Sequence, residues 1–356
     1  MQNLVNEAPA KKNYEFIDAI RGIAMMSIVA EHSVAFNLTN IPFESAKYWT
    51  FASLIQFTKF GTIAFFLLAG FLISEKFADY SPAQYLRRRI STTFGPWVFW
   101  TFVYILAGLI TLRIKARIYH DDEFNLTNIL TLIKTVYLYT SYWFIINFLI
   151  SITILLIFRR YLYSWYLGGT LMAFTLFYVI DIHYEWIDPR HTTAILGFVF
   201  FLWMGAQLRK YWQSIGRRIE KVSFFSLFML MLLTFGLSLY EITWLHGKSI
   251  DPFNTLRISN ILFSLAFFAM LLKIKNFKFI NYLKPRQTTY GIYLIHYILL
   301  VFLFPEIFMH LPFDINHLAL PLLVLFKIVT FVALYSLTLV IVLFIGDSKA
   351  KKLVGV

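Results

Sequence analysis

Cysteine is absent from all 356 residues. That excludes disulfides, thiolate nucleophiles and thiolate metal sites. Charge is scarce as well. Asp, Glu, Lys and Arg make up 14% of the chain, where a soluble domain carries about a quarter. Within that fraction acidic residues are the minority, 19 against 32 Lys and Arg. Several catalytic signatures are missing too: the HExxH pair of zinc enzymes, the GxxxxGK[ST] phosphate loop and the Rossmann glycine pattern. No close cluster of the eight histidines has metal-ligand spacing, so no metal is expected. These absences argue against an ATPase, a dinucleotide enzyme and a zinc hydrolase. No linker, low-complexity tract or soluble domain is visible either.

What is present in excess is apolar and aromatic. Hydrophobic residues make up 59% and aromatics 19%, and mean hydropathy is +0.67. This predicts an all-α, polytopic membrane protein surrounded by lipid. Apolar segments of spanning length fall at about 16–36, 51–74, 92–112, 142–158, 161–180, 192–208, 223–242, 258–272, 288–309 and 318–346. That is about ten helices, with 126–140 an interfacial helix or a further short membrane element. The N-terminus has Lys11 and Lys12 before an apolar stretch longer than a signal core, with no small-x-small site after it. It reads as a retained first helix.

The net charge of +13 is explained by topology before nucleic acid. With the N-terminus inside, the inner segments (1–15, 75–91, 159–160, 209–222, 273–287, 347–356) hold 21 Lys and Arg and 6 Asp and Glu. The outer segments (37–50, 113–141, 181–191, 243–257, 310–317) hold 8 and 9. The bias obeys the positive-inside rule and puts both termini in the cytoplasm. One domain is expected over 1–356, with cytoplasmic tails at 1–15 and 347–356 and no added soluble domain.

The most informative stretch is FIDAIRGIAMMSIVAEHS, residues 16–33. Arg21 and His32 are eleven residues apart, almost three helical turns, so they share one face about 16 Å apart along the axis. Asp18 lies on the same side, three residues before Arg21. An ionisable group inside a membrane is expensive and faces the protein interior. His32 falls toward the outer side and suits general-base work. Glu31 is adjacent, and either tunes His32 or faces the outer headgroups. Arg21 suits an anionic group such as a phosphate. The bland alternative is a structural network, with Asp18 neutralising Arg21 and His32 hydrogen-bonded.

Other features read two ways. Arg87, Arg88 and Arg89 stand at the cytoplasmic entry to the third helix, before Pro96. They are phosphate ligands for a nucleotide-type donor or a positive-inside anchor. Gly70 permits close helix packing. Lys59 reads as a snorkelling residue, and Tyr142-Trp143 as an interfacial belt. His296 is the only other histidine well inside a predicted span. Lys327 lies in the last helix as an ion-pair partner or a pathway residue. The remaining histidines fall in outer loops or at helix ends.

Together these segments resemble the membrane-bound acyltransferase-3 family. The opening pattern is Ile17-Asp18-Ala19-Ile20-Arg21-Gly22-Ile23-Ala24 followed by His32, which keeps the family's Arg-x10-His spacing. Phe65 to Ile73, Trp143-Phe144 and Tyr290 to His296 match further motifs. There are two departures. Ala69 stands where the family has serine, and no Arg follows three places after Arg87, Arg88 or Arg89.

The resemblance implies transfer of an acyl group, most often acetyl, from acyl-CoA in the cytoplasm. The acceptor would be a hydroxyl or amine of a cell-surface or lipid-linked carbohydrate, reached from a bacterial inner membrane. Arg21, with Arg87, Arg88 and Arg89, would hold the donor, and acyl-CoA would be a substrate rather than a bound cofactor. His32, assisted by Glu31, would act as base or carry the acyl group. Asp18, Trp143, Tyr290, His296 and Lys327 are the further candidates. Nucleic acid is not an expected partner, and a homo-oligomer is compatible with everything above. The competing class is a flippase for lipid-linked glycans, a polysaccharide-export component or a secondary transporter, because intramembrane Arg, His and Lys fit transport as well.

Overall fold

The structure is a computed structural model that describes residues 14–33, 41–76, 80–119, 124–312 and 315–356. The expected N-terminal tail lies almost wholly outside the described residues. Among them the regular structure is helical throughout, and the protein is a polytopic all-α membrane protein.

The first helix, α1, spans Glu15–His32. Next come α2 (Ala46–Thr58) and α3 (Gly61–Lys76), which run on as one apolar rod across Lys59 and Phe60. The helix α4 (Pro82–Arg89) opens with a capping box. Ser81 Oγ accepts from the Gln84 N–H, and the Gln84 side chain accepts from the Ser81 N–H. A π-helical turn, Ile90–Phe94, leads into α5 (Gly95–Tyr119). Pro96 has no N–H and crowds the preceding turn, and a widened turn accommodates both defects.

The helices α6 (Leu126–Leu138) and α7 (Trp143–Ile157) are bent 51° apart. Then follow α8 (Trp165–Tyr184), α9 (Val199–Lys210), α10 (Trp212–Lys221), α11 (Phe224–Leu245) and α12 (Ile258–Ile274). The chain ends with α13 (Lys278–Tyr282), α14 (Pro285–Ile298), α15 (Phe304–Met309) and α16 (Leu320–Gly346). A second π-helical turn, Leu299–Leu303, precedes Pro305 in α15.

Each of the ten predicted segments contains a helix among the described residues. Length and composition, however, support fewer spans. Among the described residues six helices are long and apolar enough to cross a membrane, or seven if the bent α6–α7 pair is one span. The shortfall has local causes. α1 carries Asp18, Arg21 and Glu31, while α7, α9 and α12 have 15, 12 and 17 residues, short of the roughly 20 that span unaided.

Two features position the site. The first is the contact between α3 and α9. A Cβ on Gly70 would lie 1.9 Å from the Leu202 carbonyl oxygen, and one on Gly205 would lie 2.1 Å from that of Leu67. Only glycine lets the two backbones touch. The second is the placement of α1, which packs against α2, α3, α12, α13, α14 and α16. None of its described side chains from Phe16 to His32 is exposed. Phe16, Ile17, Ile20 and Ala24 join one apolar core, and Met25, Ile28 and Val29 join a second. The polar stripe of α1 is thus turned toward protein, closed at its His32 end and partly open at Asp18 and Arg21.

The C-terminal segment is docked rather than loose. Trp100 Nε1 donates to the Leu353 carbonyl (2.8 Å), Val354 is fully buried, and Gly355 adopts φ +79° against the Tyr290 ring.

Candidate active site

In the first turns of α1, Arg21 pairs with Asp18 at 2.8 Å, as their i,i+3 spacing predicts. Gly22 has a separate task. A Cβ there would lie 2.5 Å from Ile280 Cγ2 and 3.5 Å from Pro285 Cβ. Its absence lets the corner between α13 and α14 close onto α1. That corner brings Arg286 up, and the fields of both Arg286 and Arg89 reach Arg21. Arg89 donates to Tyr85 Oη (2.9 Å) and Arg88 to Tyr80 Oη (2.8 Å), each guanidinium also lying over the ring of the tyrosine it bonds. Arg87 and Arg88 are exposed. Of the three consecutive arginines, Arg89 is the one electrostatically coupled to α1. Tyr290 lies near this end, its hydroxyl donating to the Thr93 carbonyl within the first π turn. Arg286 was not singled out from sequence, because a basic residue beside Lys284 and Pro285 reads as a topology signal.

The C-terminal end of α1 borders a cavity of about 610 Å³. Glu31, His32, Lys59, Trp143, His191 and Tyr297 are among its lining residues. His32 Nδ1 lies 3.0 Å from His296 Nε2 on α14, so the two intramembrane histidines, 264 residues apart, meet directly. Glu31 does not bond to His32. It pairs with Lys59 at 2.6 Å, the two side chains being 17% and 8% exposed. The snorkelling reading of Lys59 is therefore corrected. At the break between α2 and α3 it turns inward, because a buried carboxylate offers it more than headgroup water does. Lys327 is buried too, and donates to the Ala30 carbonyl (2.9 Å) in the last turn of α1.

The belt reading of Tyr142-Trp143 is corrected as well. Tyr142 is fully buried and its hydroxyl donates to the Leu294 carbonyl (2.7 Å). Trp143 stacks on His191, with ring centroids 4.7 Å apart, and walls the cavity.

His191, Arg190, Asp251 and Thr255 come from the α8–α9 and α11–α12 connections and were missed as site residues; loop position offers no periodic signal to find them. The Thr255 N–H lies 3.2 Å from His191 Nε2 and can only donate, so that nitrogen is the acceptor. Burial lowers His191 from its ordinary 6.5 to about 4, against the opposing pull of Asp251. The ring is neutral at pH 7. The Arg190 guanidinium lies 4.9 Å from the centre of the Tyr139 ring, beside the cavity.

The wall behind these loops is held by Arg257, which is fully buried. It donates to the Asn254 and Ser238 carbonyls (3.1 and 2.9 Å) and to Gln56 Oε1. Gln56 in turn donates to Asn260 (2.9 Å), and Asn260 to the Thr255 carbonyl (2.7 Å). Burial lowers Arg257 only to about 10, so it stays a cation and the network stays intact.

Two polar regions meet α1: a cationic cluster around Arg21 at one end, and at the other His32, which lines the cavity and is paired with the buried His296 of α14. Residues 14–346 match the family described as "Acyltransferase domain", acyltransferase-3. The chain belongs to this acyltransferase family. It is therefore an enzyme, and the transporter and export readings give way to acyl transfer. No curated protein and no solved structure matches it. The match begins at the residue before α1 and ends with α16, so both polar regions belong to the acyltransferase domain.

Proposed function

We propose that this acyltransferase moves an acyl group, acetyl in the simplest case, from acyl-CoA on the cytoplasmic side to a glycan hydroxyl on the outer side. The carrying observation is the layout of α1. Arg21, beside Arg89 and Arg286, lies at one end, and His32 faces a cavity at the other. The rise between them is about 16 Å, a distance that the long pantetheine arm of coenzyme A suits.

The chemistry follows from the residue types. The phosphates of coenzyme A carry several negative charges, and guanidinium groups bind phosphate in a planar fork. Asp18 holds Arg21 extended until the donor arrives. The acceptor enters the outer cavity, where Trp143 offers an aromatic face and His32 a base. His32 takes the hydroxyl proton, directly or after carrying the acyl group itself. Lys59 and Lys327 lie close enough for their fields to reach His32, and they favour the negative charge that develops on the acyl oxygen. The inner-side charge excess supports ten spans with both termini cytoplasmic, and a bacterial inner-membrane setting.

The test compares cell-surface glycans by mass spectrometry. Strains carry the intact protein, a deletion, or His32→Ala. Loss of one acyl mass on an unchanged glycan backbone in the deletion and in His32→Ala is expected. A His32→Ala protein that inserts normally and still acylates would overturn the assignment.

A further inference from the structure

His296 is fully buried on α14. Its Nδ1 lies 2.9 Å from the Ile292 carbonyl oxygen, one turn earlier on the same helix. A carbonyl oxygen only accepts, so Nδ1 carries a proton. The hydrogen bonds of His296 among the described residues go to the backbone of Ile292 and Tyr293 and to an imidazole. None of these is an anion that would compensate a buried imidazolium. The ring is then neutral and its Nε2 is a bare acceptor. That Nε2 faces His32 Nδ1 at 3.0 Å, so His32 Nδ1 must donate. The remaining nitrogen, His32 Nε2, is left with its lone pair. One backbone carbonyl thus dictates the proton arrangement of two rings.

We propose that His296 is a positioning residue that locks His32 in its Nδ1–H tautomer, making His32 Nε2 the reacting atom. This rests on the reading of His32 as the base. During transfer the acceptor hydroxyl gives its proton to Nε2 as its oxygen bonds to the thioester carbonyl carbon. The carbon–sulfur bond breaks, and the departing thiolate takes the proton back from Nε2 and leaves as a thiol. In between, His32 is an imidazolium whose Nδ1–H remains bonded to His296. The role parallels the carboxylate behind a serine-protease histidine, which fixes tautomer and orientation. Here an imidazole, itself fixed by a carbonyl, takes that place.

Two variants and one spectrum test this in the full-length protein in detergent or proteoliposomes. His296→Leu removes the acceptor at similar volume. Its kcat is expected to fall on the order of 10²- to 10⁴-fold, with KM for acyl-CoA and for the acceptor unchanged. His296→Gln restores an acceptor oxygen near the lost Nε2 and is expected to recover at least about tenfold of that loss. The ¹⁵N spectrum of histidine-labelled wild-type protein, with His32 identified by its loss in His32→Ala, is expected to show protonated Nδ1 and bare Nε2. An Nε2–H tautomer for His32 in the wild type, or an unchanged kcat in folded His296→Leu, overturns the proposal. If His296→Leu does not fold, the wild-type spectrum decides alone. Full activity in His32→Ala would instead defeat the base assignment itself. An inactive His32→Ala beside a normal His296→Leu defeats only this inference.

Discussion

At its N-terminal end, the inner end in the proposed topology, α1 carries the Asp18–Arg21 pair, with side chains 36% and 20% exposed. At its other end, the outer one in that topology, the Glu31–Lys59 pair is 17% and 8% exposed. Both are ion pairs of good length, yet their physics differs. A pair open to water and salt gains little from its contact and parts cheaply. A buried pair cannot lose one member without stranding the other. The inner pair suits ligand exchange, with Asp18 giving way to a donor phosphate. The outer pair suits a fixed wall beside His32, whose own partner, His296, is fully buried. In the proposed reaction the same contrast separates a helix end that accepts a mobile anion from one that holds a base still.

The largest effect that would break this contrast is expected at the base itself. His32→Ala should cost on the order of 10²- to 10⁴-fold in kcat with thermal stability in detergent nearly unchanged; equal loss of stability would make the residue structural. Next, Lys59→Met should destabilise by about 3 kcal/mol, the lower end of the cost of stranding a buried charge, because Glu31 still borders the cavity. Lys59→Met combined with Glu31→Gln should recover most of it. Asp18→Asn, by contrast, should cost under about 1 kcal/mol. Thermal unfolding of all four proteins makes the comparison, and equal costs at the two ends would erase it.

At the inner end Arg21→Ala should raise KM for acyl-CoA about 10- to 100-fold, the loss of one or two charge-assisted hydrogen bonds, while Arg87→Ala should leave it nearly unchanged. Steady-state kinetics that rank Arg87 above Arg21 would move the donor site off α1.

An effect smaller than that of stranding Glu31 is expected in pH. Burial holds His191 at about 4 in the fold against its ordinary 6.5. Between those values the unfolded chain takes up a proton that the folded protein refuses, so stability falls as pH drops from 6.5 toward 4. By pH 5.5 the loss from this residue is about 1.4 kcal/mol. His191→Gln should flatten that part of the profile, and an unchanged slope would remove His191 from the account.

Much of this was legible along the chain, and what was legible shares a cause. The helical segments, the protein-facing polar stripe of α1 and the close packing at Gly70 follow from hydropathy, helix period and residue size, which are local properties. Lys59 and Tyr142 were misread because snorkelling and belt rules describe average helices facing lipid. These two residues face protein, and only the packing of α2 on α1 and the bond of Tyr142 to α14 reveal it. The span count is less legible for a related reason: α7, α9 and α12 are short, and hydropathy alone does not fix what surrounds a short helix.

By itself the sequence determined that the chain lives in a membrane and that α1 carries Arg21 and His32 on one face. Those facts need only composition and a helical period of 3.6. The tertiary structure decided the partners: His296 for His32, Lys59 for Glu31, Arg286 and Arg89 for Arg21, and the loop residues that close the cavity. Each joins positions distant in the chain, and such meetings depend on which backbones pack together. Glycines at 22, 70 and 205 allow those approaches, but a glycine does not name the neighbour it admits.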